Sequence, residues 1–317
     1  MKKLVINRRG ALEISFSWIF AIIVGIFILF LAIFAVTKIM KTEETISDVK
    51  VGKEIGALLN LLETGVESDK TKSFDVPAES RILNRCHEEG LFGDQGIMIS
   101  QKSFNKWTEP EIESLFKNKY IFSNRIEEGK TFYLFSKPFE FPFKVSDLVY
   151  MSSSLTNYCF KGLKGSSGLK DIENDIEKLS QGNLHLEESE EKCPDNSINV
   201  CFNVASDCDI VVNYDGGYTK KDGETLYFVN DALMYATIFS NKDIYECQVK
   251  RLMKRAKSLA EIYSSKEVFT TRVGCGSNVG LNYLAGMFEG VKSSGELSNI
   301  PIDDVRMKND GMECQLW

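Results

Sequence analysis

The amino-terminal part of the chain carries one long, uninterrupted run of apolar residues. From Ser15 to Val36 there are 22 residues without a charge, and at about 1.5 Å per residue such a helix crosses a hydrocarbon core of roughly 30 Å. Four basic residues precede the run, whereas two basic and two acidic residues follow it within eight positions. Because lysine and arginine set the orientation of a span, the pattern predicts a cytoplasmic leader over 1–14, a transmembrane helix over 15–36 and an extracellular remainder.

A cleaved secretory signal is the alternative interpretation of the same run. The apolar region of such a signal is normally about 7–15 residues long and is followed by small residues at the cleavage site. Here the run is longer, and Ile33-Phe34-Ala35 puts a large residue where the site requires a small one. The sequence therefore favours a retained, single-pass membrane anchor.

The hydrophobic spacing after the span becomes that of an amphipathic helix. Over 37–66 the apolar positions recur three and four residues apart, which is typical of a helix with one buried face. The apolar residues on this face are Ile55, Leu58, Leu59 and Leu62. We expect the membrane helix to continue outward as an amphipathic stalk over 37–66, with Gly52 and Gly56 as the positions for a break.

The remaining chain divides into three regions by pattern. Clustered and alternating aromatic residues over 67–160 predict a β-rich extracellular domain. The segment 161–195 is rich in glycine and serine and then acidic, which indicates a linker or insertion that holds one short helix. Residues 196–317 predict a second extracellular α+β domain, with antiparallel strands followed by helices over 242–264 and about 279–293. The fold class expected is α+β, with a membrane helix, a stalk, a β-rich region and carboxy-terminal helices.

All eight cysteines follow the membrane helix, and none lies before it or inside it. They are Cys86, Cys159, Cys193, Cys201, Cys208, Cys247, Cys275 and Cys314. An even number of cysteines confined to the extracellular part predicts a framework of disulfides. Eight cysteines allow 105 pairings, and proximity in the chain favours a bond between Cys86 and Cys159.

The charge of the predicted extracellular part excludes one class of partner. The first 36 residues hold four basic and one acidic residue, which leaves 34 basic and 44 acidic residues and a net charge of −10. Because nucleic-acid binding depends on neutralising phosphates, we expect no nucleic-acid partner. The helix over 242–264 carries a basic face, which we expect to be solvated or paired with the acidic insertion. Its basic residues are Lys250, Arg251, Lys254 and Arg255.

Candidate chemistry is sparse. The two histidines, His87 and His185, belong to no nucleophile–base motif, and the chain holds no GxSxG, HExxH, P-loop or GxGxxG pattern. It also lacks CxxC pairs and the ligand spacing of a calcium loop, so the run from Glu187 to Glu191 is expected to be solvated. The sequence predicts no catalytic residue, metal ligand or cofactor.

Small residues mark one face of the membrane helix. Ser17, Ala21 and Gly25 lie four residues apart, and Ala32 follows two turns later. Such a stripe lets two helices approach closely in a bilayer. We therefore expect this face to support self-association or contact with another membrane protein, with membrane lipid as the other partner.

The residues Arg8-Arg9-Gly10-Ala11-Leu12-Glu13, followed by Trp18 and Ala21-Ile22-Ile23, resemble the class III signal of archaeal type IV pilin-like proteins. The resemblance implies cleavage after Gly10, a mature chain that begins at Ala11, and an assembly role for Glu13 opposite a neighbouring amino terminus. A carboxylate near a membrane is costly unless it is paired, which fits that role. The alternative is an uncleaved signal anchor in which Glu13 lies among lipid headgroups.

A second resemblance covers more of the chain. Residues 10–34, 100–107 and 134–148 are similar to a type of single-span envelope protein from small-genome archaea. The leading functional expectation is a cell-surface structural or adhesive protein, such as a pilin-like subunit, that acts through protein–protein contacts rather than as an enzyme. The alternatives are a membrane-tethered extracellular hydrolase with a carboxylate-based site, and a module that binds a solute or a partner.

Overall fold

The computed structural model describes residues 16–64, 70–103, 105–110, 112–164, 168–187, 193–203, 207–272, 274–275 and 278–317. The predicted leader over 1–14 lies outside the described residues. The chain divides between Ser47 and Asp48 into two units, and the second extends to Trp317. This second unit holds both β-sheets of the described chain.

The first helix, α1 (Phe16–Thr64), runs without interruption for 49 residues. Its segment Phe16–Ile39 has a mean hydropathy of 3.3 and none of it is buried, so it is apolar and long enough to cross a membrane, as a signal sequence also is. The hydroxyl of Thr37 donates to the carbonyls of Ile33 and Phe34 at 3.0 and 2.9 Å, which satisfies this polar group inside the helix. The apolar amino-terminal helix expected from the sequence is confirmed.

The first sheet has seven strands, and its long central strands bury residues on both faces. They are β1 (Lys70–His87), β2 (Asp94–Ser103), β3 (Lys106–Trp107), β4 (Glu113–Lys117), β5 (Ile121–Phe122), β6 (Ile126–Glu140) and β7 (Lys144–Ser153). The order is β3-β2-β1-β6-β7-β5, and β4 also pairs with β2. All pairs are antiparallel except β5 with β7. The strands predicted over 67–160 are thus present.

The carboxy-terminal part of α1 packs on one face of this sheet. Val51, Ile55 and Leu59, spaced four residues apart, are buried in a core cluster with residues of the long strands. The helix is continuous through Gly52 and Gly56, so the break expected there is wrong. A Cβ added at these glycines would lie 2.7 Å from Ser114 Oγ and 2.9 Å from Phe116 Cε1, so they permit close contact with β4.

The second sheet has six strands with mixed directions. They are β8 (Tyr158–Lys161), β9 (Leu184–Leu186), β10 (Ile198–Phe202), β11 (Ile210–Asn213), β12 (Tyr218–Lys221) and β13 (Glu224–Tyr227). The order is β13-β12-β11-β10-β8-β9. The strands β10 and β11 are parallel, which corrects the antiparallel pairing expected. Two interactions hold the start of β11 beside β10. They are the Cys201–Cys208 disulfide and the hydrogen bond that the Asp209 N–H donates to the Asn199 carbonyl at 3.0 Å.

The segment expected to be a linker contributes to the core. The helix α2 (Lys170–Leu179) forms as predicted, and its residues Ile172, Ile176 and Leu179 are buried in the main cluster. The strand β9 of the same segment extends the second sheet. The boundary expected at 161–195 therefore does not separate two compact units. The apolar residues of this segment are buried in the same core as residues of both sheets.

Four further α-helices and one 3₁₀ helix complete the described chain. They are α3 (Asp231–Phe239), α4 (Lys242–Arg272), α5 (Leu281–Gly290), the 3₁₀ helix Ser294–Asn299 and α6 (Ile302–Asp310). The helices α4 and α5 correspond to the two predicted helices. The helices α3 and α4 pack on the face of the first sheet opposite α1, through residues such as Phe135, Tyr150 and Phe239.

All eight cysteines form disulfides, so the predicted framework is confirmed. The bonds are Cys86–Cys247, Cys159–Cys193, Cys201–Cys208 and Cys275–Cys314. The pairing of Cys86 with Cys159 is wrong, because β1 lies beside α4 and brings Cys86 to Cys247, 161 positions away in the chain. Four bonds of this kind indicate an oxidising compartment.

Candidate functional site

The sequence-predicted site residues fall into two groups. The small residues expected to form one face lie on the apolar segment of α1, and all four are exposed. They are Ser17, Ala21, Gly25 and Ala32. Gly10, Ala11 and Glu13 lie outside the described residues, as does most of the acidic run, Glu188 to Glu191. The structure therefore places the small-residue face on one helix, and the processing residues stay a prediction.

The two histidines contact different partners. His87 Nε2 lies 2.8 Å from Glu113 Oε1 near the surface, and His185 Nε2 lies 3.4 Å from Asn157 Oδ1. Neither pair includes a hydroxyl or thiol nucleophile, since Cys86 is bonded to Cys247. These contacts are those of ordinary polar side chains at strand ends.

The basic face of α4 is not arranged as expected. Arg251 is fully buried and donates to the carbonyls of Phe92, Gly93 and Lys119, and its guanidinium lies 4.7 Å from the centre of the Tyr120 ring. Buried carbonyls of the first-sheet loops thus replace water around this charge.

The neighbouring lysines of α4 are also paired away from the acidic insertion. Lys250 contacts Glu88 Oε1 at 3.1 Å, and Lys254 donates to the Glu88 carbonyl. These two lysines thus contact the loop after β1, whereas most of the acidic run expected as the alternative partner lies outside the described residues.

A groove with polar walls lies where the second sheet meets the carboxy-terminal helices. Its first cavity, of about 620 Å³, is lined by the end of β6, the 214–217 turn, the start of α3, the 3₁₀ helix and α6. A second cavity of about 620 Å³ shares five residues with it and continues it past Lys137 and Lys178. The shared residues are Glu140, Tyr214, Asn230, Asp231 and Arg306. We call the two together the acidic groove.

The turn between β11 and β12 holds the wall of the groove in place. Asn213 Oδ1 accepts from the Gly216 N–H at 2.7 Å, an arrangement that closes the turn locally. Gly217 has a φ of +64°, and a Cβ there would approach the Phe228 carbonyl to 2.9 Å, so the position requires glycine.

A tyrosine–aspartate pair stands at the centre of the groove. The Tyr214 hydroxyl donates to Asp231 Oδ1 at 2.8 Å. Asp231 begins α3, where the helix dipole favours a negative charge, and Asn230 caps that helix by accepting from the Leu233 N–H at 3.1 Å. Burial, followed by the bond to Asp231, raises the pKa of Tyr214 well above its ordinary value. Tyr214 is thus a neutral donor that fixes the carboxylate.

The charge of the first cavity is one-sided. Four carboxylates line it against a single guanidinium, that of Arg306. The carboxylates are Glu140, Asp215, Asp231 and Asp303. Within the described part of the chain, no group of three or more histidine, cysteine, aspartate or glutamate residues could hold a metal ion.

The groove could not be found by reading the sequence. Its charged residues come from β6, the 214–217 turn, α3 and α6, which are separated by many residues and share no motif. Comparison of the chain with protein-family models, curated proteins and solved structures finds no match. The chemistry of the groove is therefore argued from its own geometry.

Proposed function

We propose that the protein is anchored in the cell membrane by α1, with the leader in the cytoplasm and the disulfide-bonded unit outside the cell. It works there as a structural or adhesive protein through contacts with other proteins. The observation that supports this proposal is α1 itself. One continuous helix carries an exposed apolar segment over Phe16–Ile39 and, further along, the residues Val51, Ile55 and Leu59 that are buried against the first sheet.

The four disulfides support the same orientation. They require an oxidising compartment, and every cysteine follows the apolar segment in the chain. The excess of basic residues before that segment favours a cytoplasmic leader. Charge and cysteine distribution thus agree on which side of the membrane each part lies.

Assembly of the pilin type is the finer form of this proposal. Cleavage after Gly10 would leave a mature chain whose Glu13 pairs with the new amino terminus of a neighbour. A long helix that is apolar at one end and packed on a folded unit at the other is how such subunits are built, and α1 has both parts.

Mass spectrometry of the amino terminus of the protein purified from its native membrane tests the anchor and the processing together. A chain that begins at Ala11 supports pilin-type cleavage, and a Gly10→Leu variant should then keep the intact leader. A wild-type chain with the leader intact supports a plain anchor and rejects the cleavage. A chain that begins after Val36 rejects the anchor itself.

Labelling of intact cells tests the orientation. In a chain that keeps its leader, a membrane-impermeant amine reagent should modify exposed lysines of the folded unit, such as Lys220, and leave Lys2 and Lys3 unmodified; in a chain cleaved after Gly10, only the labelling of the folded unit is read. Detergent-lysed cells provide the control in which all three react. Modification of Lys2 or Lys3 in intact cells would show that the orientation is wrong. The membrane-tethered hydrolase with a carboxylate-based site, considered as an alternative, stays a prediction.

A further inference from the structure

We infer that the acidic groove binds lysine or arginine side chains of an extended segment of a partner protein. This inference rests on the proposed function, because contact with a partner outside the cell requires the folded unit to face outward. It adds to that function the surface that makes the contact and the chemistry of the partner.

The shape of the groove fits a chain rather than a single small group. Each of its two cavities has a volume of about 620 Å³, and they share the wall formed by Tyr214, Asn230 and Asp231. Single-ligand sites have volumes of roughly 300–1,000 Å³. Two such volumes joined along one wall leave room for successive side chains of an extended polypeptide.

The charge of the groove selects a cationic occupant. Four carboxylates face one guanidinium in the first cavity, and among these five side chains no ion pair forms. The second cavity is balanced, with three carboxylates and three cationic side chains, and there Lys137 is paired with Asp175 at 2.5 Å. A concave surface with an excess of one charge concentrates ions of the opposite sign. The first cavity, which holds the excess of negative charge, therefore attracts positive groups.

The walls of the groove select an organic cation. The described carboxylates include no cluster able to hold a metal ion, so the charges are spread rather than convergent. The Tyr227 ring is 44% exposed, and Phe228 and Leu297 form an apolar base. Lysine and arginine have long apolar stems and cationic ends, which pack on aromatic rings and reach carboxylates at the same time. They match both features of the groove.

A binding measurement on the full-length, oxidised protein in detergent tests the inference. The probe is a fluorescent tetralysine peptide, followed by anisotropy, and a tetraglutamate peptide of the same length is the control for charge. Because an exposed ion pair contributes a factor of about 1.5 to 5 in affinity, loss of two in D215N/D303N should weaken tetralysine binding roughly twofold to twenty-five-fold. Removal of the one opposing charge in R306M should strengthen binding by roughly twofold to fivefold.

The matched control is D304N. Asp304 is exposed and adjacent to Asp303 on α6, but it does not line the groove, so its loss should change affinity by less than about twofold. Saturable binding of tetralysine with this pattern supports the inference. No saturable binding, equal binding of tetraglutamate, or equal losses in D304N and D215N/D303N would overturn it. The topology of the protein in cells does not enter this measurement, so its failure is separate from failure of the proposed function.

Discussion

Glu127 is a carboxylate buried among elements of both sheets. It is 2% exposed and accepts hydrogen bonds from Asn124 Nδ2 at 2.8 Å and from the Ser153 N–H at 3.1 Å. Burial raises its pKa from 4.5 to about 7, and the bonds from Asn124 and Ser153 and the charge of Lys221 lower it in part. The folded protein therefore binds a proton here more tightly than the unfolded chain does.

The sign of the resulting pH dependence follows from this raised pKa. Below a pH of about 4.5 the Glu127 carboxyl is protonated in both the folded and the unfolded chain, and its contribution to stability is at its maximum. As the pH rises from about 4.5 to about 7, this contribution is lost, because the unfolded chain releases the proton more readily than the folded protein does. Over that range the free energy of unfolding falls by roughly 3 kcal/mol from this group. We expect Glu127→Gln, which does not titrate, to gain about this much relative to the wild type between about pH 4.5 and pH 8.

Urea unfolding of both proteins at several pH values measures this difference, in which the contributions of all other titrating groups cancel. The lost bond to Ser153 lowers the stability of Glu127→Gln by an amount that does not change with pH. A stability difference that stays constant across the range would show that Glu127 does not titrate as proposed.

At the scale of the elements, the contact between α1 and β4 depends on a missing side chain. A Cβ at Gly52 would meet Ser114 Oγ at 2.7 Å, whereas the Ser114 Cβ lies at an ordinary 3.6 Å. Alanine is more favourable than glycine inside a helix by about 1 kcal/mol. We expect Gly52→Ala to realise this gain only in a Ser114→Ala background, with a coupling free energy of roughly 1 kcal/mol between the two sites. Urea unfolding of the four proteins of this cycle measures the coupling, and equal effects of Gly52→Ala in both backgrounds would contradict the close contact.

The elements that sequence periodicity predicts are those with one buried face. The helices α1, α4 and α5 show this spacing, and all three form. The helix α3 was missed because its residues from Ala232 to Phe239 are all buried, and a fully apolar segment has no helical period. The parallel pairing of β10 and β11 was missed because a local bond and a disulfide, rather than a turn motif, return the chain.

At the scale of the whole molecule, long-range contacts explain what the sequence could not predict. The expectation of an oxidising compartment follows from the number and distribution of the cysteines, which need no tertiary structure. The Cys86–Cys247 bond and the acidic groove require the packing of α4 on the first sheet and of α6 beside the 214–217 turn. The residues that these contacts bring together show no regular spacing in the sequence. Neither the disulfide nor the groove could therefore be predicted from one sequence.

The assembly of the whole molecule can be tested at Gly25. A Cβ at this position meets nothing within 4 Å in the chain itself, so a larger side chain costs no packing within the protomer. If the face of Ser17, Ala21 and Gly25 associates with a second copy, Gly25→Leu should weaken association by about fivefold or more, which corresponds to about 1 kcal/mol. Energy transfer between labelled copies in lipid bilayers measures this.

Val24→Leu is the matched control for Gly25→Leu, because Val24 lies about 100° away around the helix and is also exposed. It should leave the energy transfer unchanged. Because a side chain at Gly25 meets nothing within 4 Å in the described chain, a loss confined to Gly25→Leu indicates contact between molecules. Equal energy transfer for the wild type and both variants would mean that this face contacts lipid only. Contacts between copies of the protein would then be made by the folded unit.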